Sequence, residues 1–232
     1  MRYALYFTPP ADDPLTQTAA AWLGRDAFGG RDLQIGETGT FPTEVFCELT
    51  ADPRRYGFHA TIKAPFSLAD GRSEADLVEA FDRFCSAQPA FDIPSVVVDQ
   101  LGPFFAIVPA DIHKPLQDFA AAAVEAFEPF RAPLSDADVA RRKPERLSEA
   151  QRNHLMRWGY PYVMDEFRFH MTLSGPVETH LAPAMHALAT DRFSSFTQRP
   201  LRISGLALFV EPDRGAPFTV LTWKPLAGTE NL

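Results

Sequence analysis

Two eight-residue stretches carry the residue types that could do chemistry. Phe58-His59-Ala60-Thr61-Ile62-Lys63-Ala64-Pro65 and Phe169-His170-Met171-Thr172-Leu173-Ser174-Gly175-Pro176 both read Phe-His-x-Thr-aliphatic-x-x-Pro. A lone His-x-Thr triplet arises by chance in any proteome. Two octets that share five positions, each at the same place in a repeated order of elements, do not. In a strand, residues i and i+2 point to one face and their neighbours to the other. Each octet therefore presents His and Thr together and turns Phe58, Ala60 and Ile62, or Phe169, Met171 and Leu173, beneath the helices. Two such faces meeting across a cleft would hold two imidazoles flanked by two hydroxyls. That set suits a phosphodiester: one imidazole takes the proton of the attacking oxygen and the other protonates the departing one. Histidine fits because its ordinary pKa of about 6.5 keeps both protonation states accessible. Thr61 and Thr172 would donate to the non-bridging oxygens. No metal or other cofactor is demanded.

Strand parity nominates further residues. Arg168, two before His170, and Lys63, four after His59, fall on the histidine side and are candidates for holding phosphate oxygens. Arg54 and Arg55 are weaker candidates of the same kind. Tyr160 and Tyr162 are candidates for an aromatic wall that stacks a base or sugar, while Trp158 reads as a packing plug. The run Arg141-Arg142-Lys143 with Arg146 reads as a solvated basic face that could also edge the cleft. His113, His154, His180 and His186 have no ligand-like spacing and read as surface or packing residues. A metal site built on His59 and His170 would need carboxylates nearby, and only Asp165 and Glu166 adjoin a motif.

The elements that must position these residues alternate between strand and helix patterns. A strand at about 3–8 leads to a helix capped by Asp13-Pro14 and closed by Gly24. The stretch 26–52 reads as an insertion with an extra strand near 44–49, and Tyr56 to Pro65 as a strand. Ser73 and Asp76 make a capping box for a helix that buries Leu77, Phe81, Phe84 and Cys85. Strands near 91–99 and 103–109 follow. The second half repeats the order, with a helix near 113–127, an insertion at about 128–166 holding a helix from Ser148 to before Gly159, and a strand at 167–174. A helix near 178–190 and strands at about 201–210 and 217–224 complete it. This predicts one domain over residues 1–232 with two lobes, about 1–100 and 101–232.

The chain has 232 residues, 46% hydrophobic and 22% charged, enough for a real core, and a formal charge of −8. That balance disfavours long nucleic acid or an anionic membrane and favours a small phosphorylated metabolite as partner. Its longest apolar runs are too short for a spanning helix and the N-terminal run is too short for a secretory signal. Cys47 and Cys85 have no CxxC spacing and read as free thiols, which together predict a cytoplasmic location.

The paired octets resemble the 2H (LigT-like) phosphoesterases, named for two His-x-Thr/Ser-aliphatic motifs. The flanks, Pro53-Arg54-Arg55-Tyr56-Gly57 and Arg157-Trp158-Gly159-Tyr160-Pro161-Tyr162, look like a bacterial branch of unknown function associated with phosphonate-utilisation operons. The resemblance covers essentially the whole chain. It implies an α+β fold, bilobal and internally duplicated, in which two antiparallel-type sheets form a central cleft with helices outside. It also implies that His59 and His170 are the catalytic pair, with Thr61 and Thr172 as phosphate ligands. The implied activity is a metal-independent phosphodiesterase acting on a small cyclic phosphodiester of phosphonate metabolism, such as a phosphoribosyl 1,2-cyclic phosphate. The alternatives are a nucleoside 2′,3′-cyclic phosphate or RNA-end phosphodiesterase or ligase, and a non-catalytic binder of a phosphorylated metabolite. The insertions at about 26–52 and 128–166 depart from the smaller RNA-processing members.

Overall fold

A computed structural model describes residues 1–229. The first half runs β1 (Arg2–Phe7), α1 (Pro14–Leu23), the two-residue strands β2 (Arg25–Asp26) and β3 (Arg31–Asp32), α2 (Thr43–Leu49), α3 (Ala51–Tyr56) and β4 (Ala60–Phe66). It continues through α4 (Glu74–Ala87), β5 (Phe91–Ile93), β6 (Val96–Leu101), β7 (Phe104–Pro109) and α5 (Lys114–Ala126). The remainder is α6 (Asp136–Arg141), α7 (Glu149–Trp158), β8 (Met171–Thr172), α8 (Ala182–Arg192), β9 (Leu201–Ile203), β10 (Gly205–Glu211) and β11 (Thr219–Pro225).

Local sequence explains the helix ends. The Asp13 carboxylate accepts from the Leu15 N–H, Pro14 occupies the first helical position, and Gly24 stops α1 at φ 70°. Ser73 and Asp76 form the reciprocal cap of α4, and Ser148 with Gln151 that of α7. None of the helices described is long and apolar enough to cross a membrane.

The expectation of two sheets is corrected. Seven strands form one sheet in the order β11-β10-β1-β4-β8-β7-β6, with every neighbouring pair antiparallel. Only β2-β3 and β5-β9 stand apart as two-stranded ladders among the described residues. The two ends of the chain interleave: β10 and β11 extend the sheet from β1, while β8 joins β7 to β4. A division at residue 100 falls inside β6.

Three further expectations change. Residues 43–49 are helical instead of a strand. In so short an apolar run the period is ambiguous, and the helix lets Phe46 pack edge-on against Trp22, 4.8 Å between ring centroids. The segment before β4 is also helical through Tyr56 and turns at Gly57, whose φ of 76° is open mainly to glycine. The strand expected over 167–174 shrinks to β8: at its start Phe167 N–H closes a turn onto Met164 O, and at its end Leu173 and Ser174 N–H converge on the single carbonyl of Phe105 instead of continuing a regular ladder.

The sheet has unlike faces. Tyr3, Leu5 and Phe7 of β1 and Leu206 and Leu208 of β10 enter the main core. There α5 lies on β4, α4 on β10 and β11, and α8 on β6. Phe58, Ala60, Ile62, Phe169, Met171 and Leu173 join the same core, as their parity predicts. Burying side chains such as Phe169 and Met171 contributes roughly 1.5–3 kcal/mol each, which pins the backbone of the second octet. The opposite face holds a smaller cluster, Ala4, Tyr6, Ala207, Phe209 and Phe218, and it is here that both His-Thr pairs emerge.

Candidate active site

One ladder pair builds the site. Ala60 of β4 is the cross-strand partner of Met171 of β8, so the middle residues of the two motifs face each other. An antiparallel register continued one step each way sets His59 opposite Thr172 and Thr61 opposite His170. All four point away from the helices and line a cavity of about 240 Å³, together with Arg2, Tyr6, Tyr56, Arg142 and Tyr160.

Both imidazoles are held alike. His59 Nδ1 lies 2.8 Å from Gly57 O, and His170 Nδ1 lies 2.8 Å from Arg168 O. With Nδ1–H donating to a carbonyl two residues back, the neutral ring presents the lone pair of Nε2. Thr61 Oγ1 sits 3.3 Å from His59 Nε2, placing a hydroxyl beside the reactive nitrogen. Tyr6, itself fully buried, stacks beneath His59 with ring centroids 3.8 Å apart and planes at 23°. Burial pushes the His59 pKa down to about 4, opposed by the bond to Gly57 and reinforced by His170. Burial also lowers that of His170, opposed by the bond to Arg168. Both rings are therefore poised to be neutral before an anion binds, and an anionic ligand would raise both pKa values.

Lys63, Arg168, Tyr162 and the weaker candidates Arg54 and Arg55 do not line this cavity. Lys63 is buried on the helix side, where Nζ donates to Val124 O at 3.0 Å and to Glu128 Oε2 at 2.9 Å. The reason is a bulge: Tyr6 pairs with Thr61 but Leu5 pairs with Lys63, so the parity of β4 flips after Thr61. Arg168 is exposed and lines a separate groove of about 800 Å³ with Phe167, Phe169 and α5, because residues 167–170 do not run as a regular strand. That groove contains neither catalytic candidate. Tyr160 is in the cavity wall, while Tyr162, 46% exposed, touches Tyr160 edge-on and does not line the cavity. Arg54 ties Leu23 O, Cys47 O and Thr50 Oγ1 together, and Arg55 binds Glu211, so both are structural.

Arg2, Tyr6 and Tyr56 were missed by sequence reasoning, although Tyr6 is legible in hindsight as the even-numbered residue of β1 directly opposite Thr61. The carboxylates adjoining the second motif are engaged elsewhere: Asp165 accepts from His154 at 2.6 Å, and Glu166 from Gln151 at 3.0 Å. No group of three or more His, Cys, Asp or Glu forms a metal-ligating cluster among the described residues.

Residues 61–219 match a family model described as "Protein of unknown function (DUF1045)". The chain belongs to this family. The match takes in the whole second octet and the first from Thr61 onward, and it fits the resemblance to a 2H phosphoesterase branch of unknown function. The chain is 36% identical over 234 residues to ribose 1,5-bisphosphate phosphokinase PhnN of Janthinobacterium sp. (strain Marseille), covering 98% of this chain and 51% of that protein. It is 34% identical over 236 residues to the protein of the same name from Laribacter hongkongensis (strain HLHK9), covering 100% and 54%. The chain thus spans about half the length of the curated relatives it matches. A solved structure described as "Crystal structure of phosphoesterase" aligns with a TM-score of 0.44 and 12% identity, over 97% of this chain and 98% of that one.

Proposed function

We propose that this DUF1045 chain is a phosphodiesterase that opens a small cyclic phosphodiester by two-histidine acid-base catalysis without a metal. The observation that carries the reading is the Ala60–Met171 ladder pair, which faces two complete His-x-Thr sets toward one cavity.

The diester binds with its non-bridging oxygens toward Thr61 and Thr172. Its negative charge raises both imidazole pKa values, and the less enclosed His170 takes the first proton. Neutral His59 accepts a proton from water at Nε2 as the water oxygen bonds to phosphorus. His170 donates its Nε2 proton to the ring oxygen as that P–O bond breaks. The product is a phosphate monoester with a free hydroxyl, and proton exchange with solvent resets the pair. Each transfer is typically worth about 10²–10⁴ in rate.

The relatives' names support a ribose phosphate as substrate. They describe whole proteins about twice this length that act on ribose 1,5-bisphosphate. None of the four lysines of this chain follows a glycine, so it has no Gly-Lys phosphate loop, and a different reaction on a related sugar suits it better. Opening a 1,2-cyclic phosphate of ribose at O2 leaves a 1-phosphate, the kind of compound a ribose bisphosphate kinase consumes. This chemistry agrees with a role in phosphonate breakdown. Tyr56 and Tyr160 in the wall favour a nucleoside 2′,3′-cyclic phosphate as the second reading.

The test is a panel of sugar and nucleoside cyclic phosphates assayed with EDTA present. Turnover of at least one member by the wild-type protein, unaffected by EDTA and lost in His59→Ala and His170→Ala proteins that keep their far-UV spectrum, is expected. Undiminished turnover in either variant, or none in the wild type, would overturn the reading.

A further inference from the structure

We propose that the cleft contains a second anion subsite, formed by Arg142 and Arg2, that receives a phosphate monoester on the substrate remote from the diester. This rests on the phosphodiesterase reading of the same cleft.

The catalytic cavity opens into a polar recess of about 50 Å³, and Arg2, Pro65, Arg142 and Tyr160 line both. A recess of that size has room for a small polar group. Its charge is unusual for a chain of net charge −8. Five arginines line it, Arg2, Arg131, Arg141, Arg142 and Arg214, with Asp138 as the one carboxylate among its lining residues. Glu211 and Glu128 stand behind it on Arg2 and Arg131, and Asp138 holds Arg141 and Arg214, so Arg142 alone of the five has no carboxylate partner among the described residues.

The two arginines that reach the catalytic cavity also have donors to spare. The guanidinium of Arg142 makes no hydrogen bond or ion pair among the described residues and lies over Tyr160, 4.8 Å from its ring centroid. Arg2 binds buried Glu211 through Nε, leaving its terminal nitrogens without a protein acceptor among the described residues. A planar guanidinium with free N–H groups matches a phosphate monoester bidentately, and its stacking on an aromatic ring fixes its plane. Like charges gathered beside a diester site repel one another until an anion arrives, so the recess favours a ligand carrying more negative charge than the diester alone. Arg142 follows α6 and Tyr160 follows α7, so the insertion at 128–166 supplies this wall. The preferred substrate is thereby a cyclic diester bearing a separate phosphate monoester.

The experiment measures binding of two probes, the 1,2-cyclic phosphate of ribose and that of ribose 5-phosphate, by calorimetry on the His59→Ala protein, where turnover cannot interfere. The 5-phosphorylated probe should bind on the order of 10- to 100-fold more tightly, as expected for charge-assisted hydrogen bonds. Adding Arg142→Ala should collapse that ratio toward one, and Arg142→Lys should restore only part of it. Arg83→Ala, which removes the same charge from an exposed helix position far along the chain, should leave the ratio unchanged. Equal binding of the two probes, no binding of either, or a ratio that survives Arg142→Ala would overturn the subsite. Arg142-dependent preference in a protein that turns over no cyclic phosphate would instead defeat the phosphodiesterase reading and leave the subsite standing.

Discussion

The first octet is built into a seven-residue strand and the second into one of only two residues, yet both hold their histidines by the same bond to the carbonyl two residues back. Around that shared device the surroundings diverge. His59 lies on the buried ring of Tyr6, while the one aromatic ring beside His170 among the described residues is that of Phe104, tilted at 5.7 Å. The fourth residue after each histidine also differs. Lys63 crosses to the helix side and pairs with Glu128, whereas buried Ser174 accepts from Phe105 N–H at 3.0 Å and donates to Gly175 O. The two octets thus supply equal chemical groups in unequal packing, and under the proposed mechanism that difference would divide their roles. In the proposed mechanism the more enclosed imidazole, His59, serves as the base and the more open one, His170, as the acid.

The largest effect that tests this division is loss of either histidine. His59→Ala and His170→Ala should each lower kcat by about 10²–10⁴. Their pH profiles should differ: without the base the rise on the acid side disappears, and without the acid the decline on the alkaline side disappears. Mirror-image profiles with the limbs exchanged would reverse the assignment of roles.

Replacing the hydroxyls comes next. Thr61→Val and Thr172→Val should each reduce kcat/KM by roughly 10- to 100-fold, the range of a hydrogen bond to a charged group at about 1.5–3 kcal/mol. Similar losses in both would show that the phosphate is shared evenly between octets despite their unlike supports.

A stability measurement sharpens the contrast further. His59 has a folded-state pKa of about 4, below its unfolded value, so the unfolded chain binds the extra proton between pH 6.5 and 4. Stability is therefore complete above about pH 6.5 and declines as the pH falls through that window, by up to about 3 kcal/mol from this group. Thermal melts of the wild type should show the decline, and His59→Gln should flatten it more than His170→Gln does.

The smallest catalytic effect is expected at Lys63. Lys63→Met should change kcat less than about threefold while lowering stability by roughly 1–3 kcal/mol, less than a fully broken buried pair because Arg131 still neutralises Glu128. A hundredfold loss of kcat with normal stability would put Lys63 back in the site.

Much of this was readable in the residues. The capping residues Asp13, Ser73 and Ser148 marked three helix starts, and the parity of the octets separated the core-facing Phe58, Ile62, Phe169 and Leu173 from the His-Thr pairs. Parity failed where the backbone stopped being regular: at the bulge that turned Lys63 inward and in the irregular stretch that sent Arg168 to another groove. Neither irregularity leaves a mark in residue type, since no glycine or proline stands between Thr61 and Lys63. The strand expected near 44–49 fails for another reason: seven residues with four apolar side chains, Val45, Phe46, Cys47 and Leu49, satisfy a strand and a helix equally.

What the sequence determined by itself was the chemistry on offer, two imidazoles and two hydroxyls at matched spacing, because alternation along a strand is a local rule. What only the tertiary structure decided was which distant groups join them. Strand register, the bulge in β4 and the path of the insertion bring Arg2, Tyr6, Arg142 and Tyr160 to the same wall. These depend on packing between segments from about 55 to more than a hundred residues apart, and no local pattern encodes that.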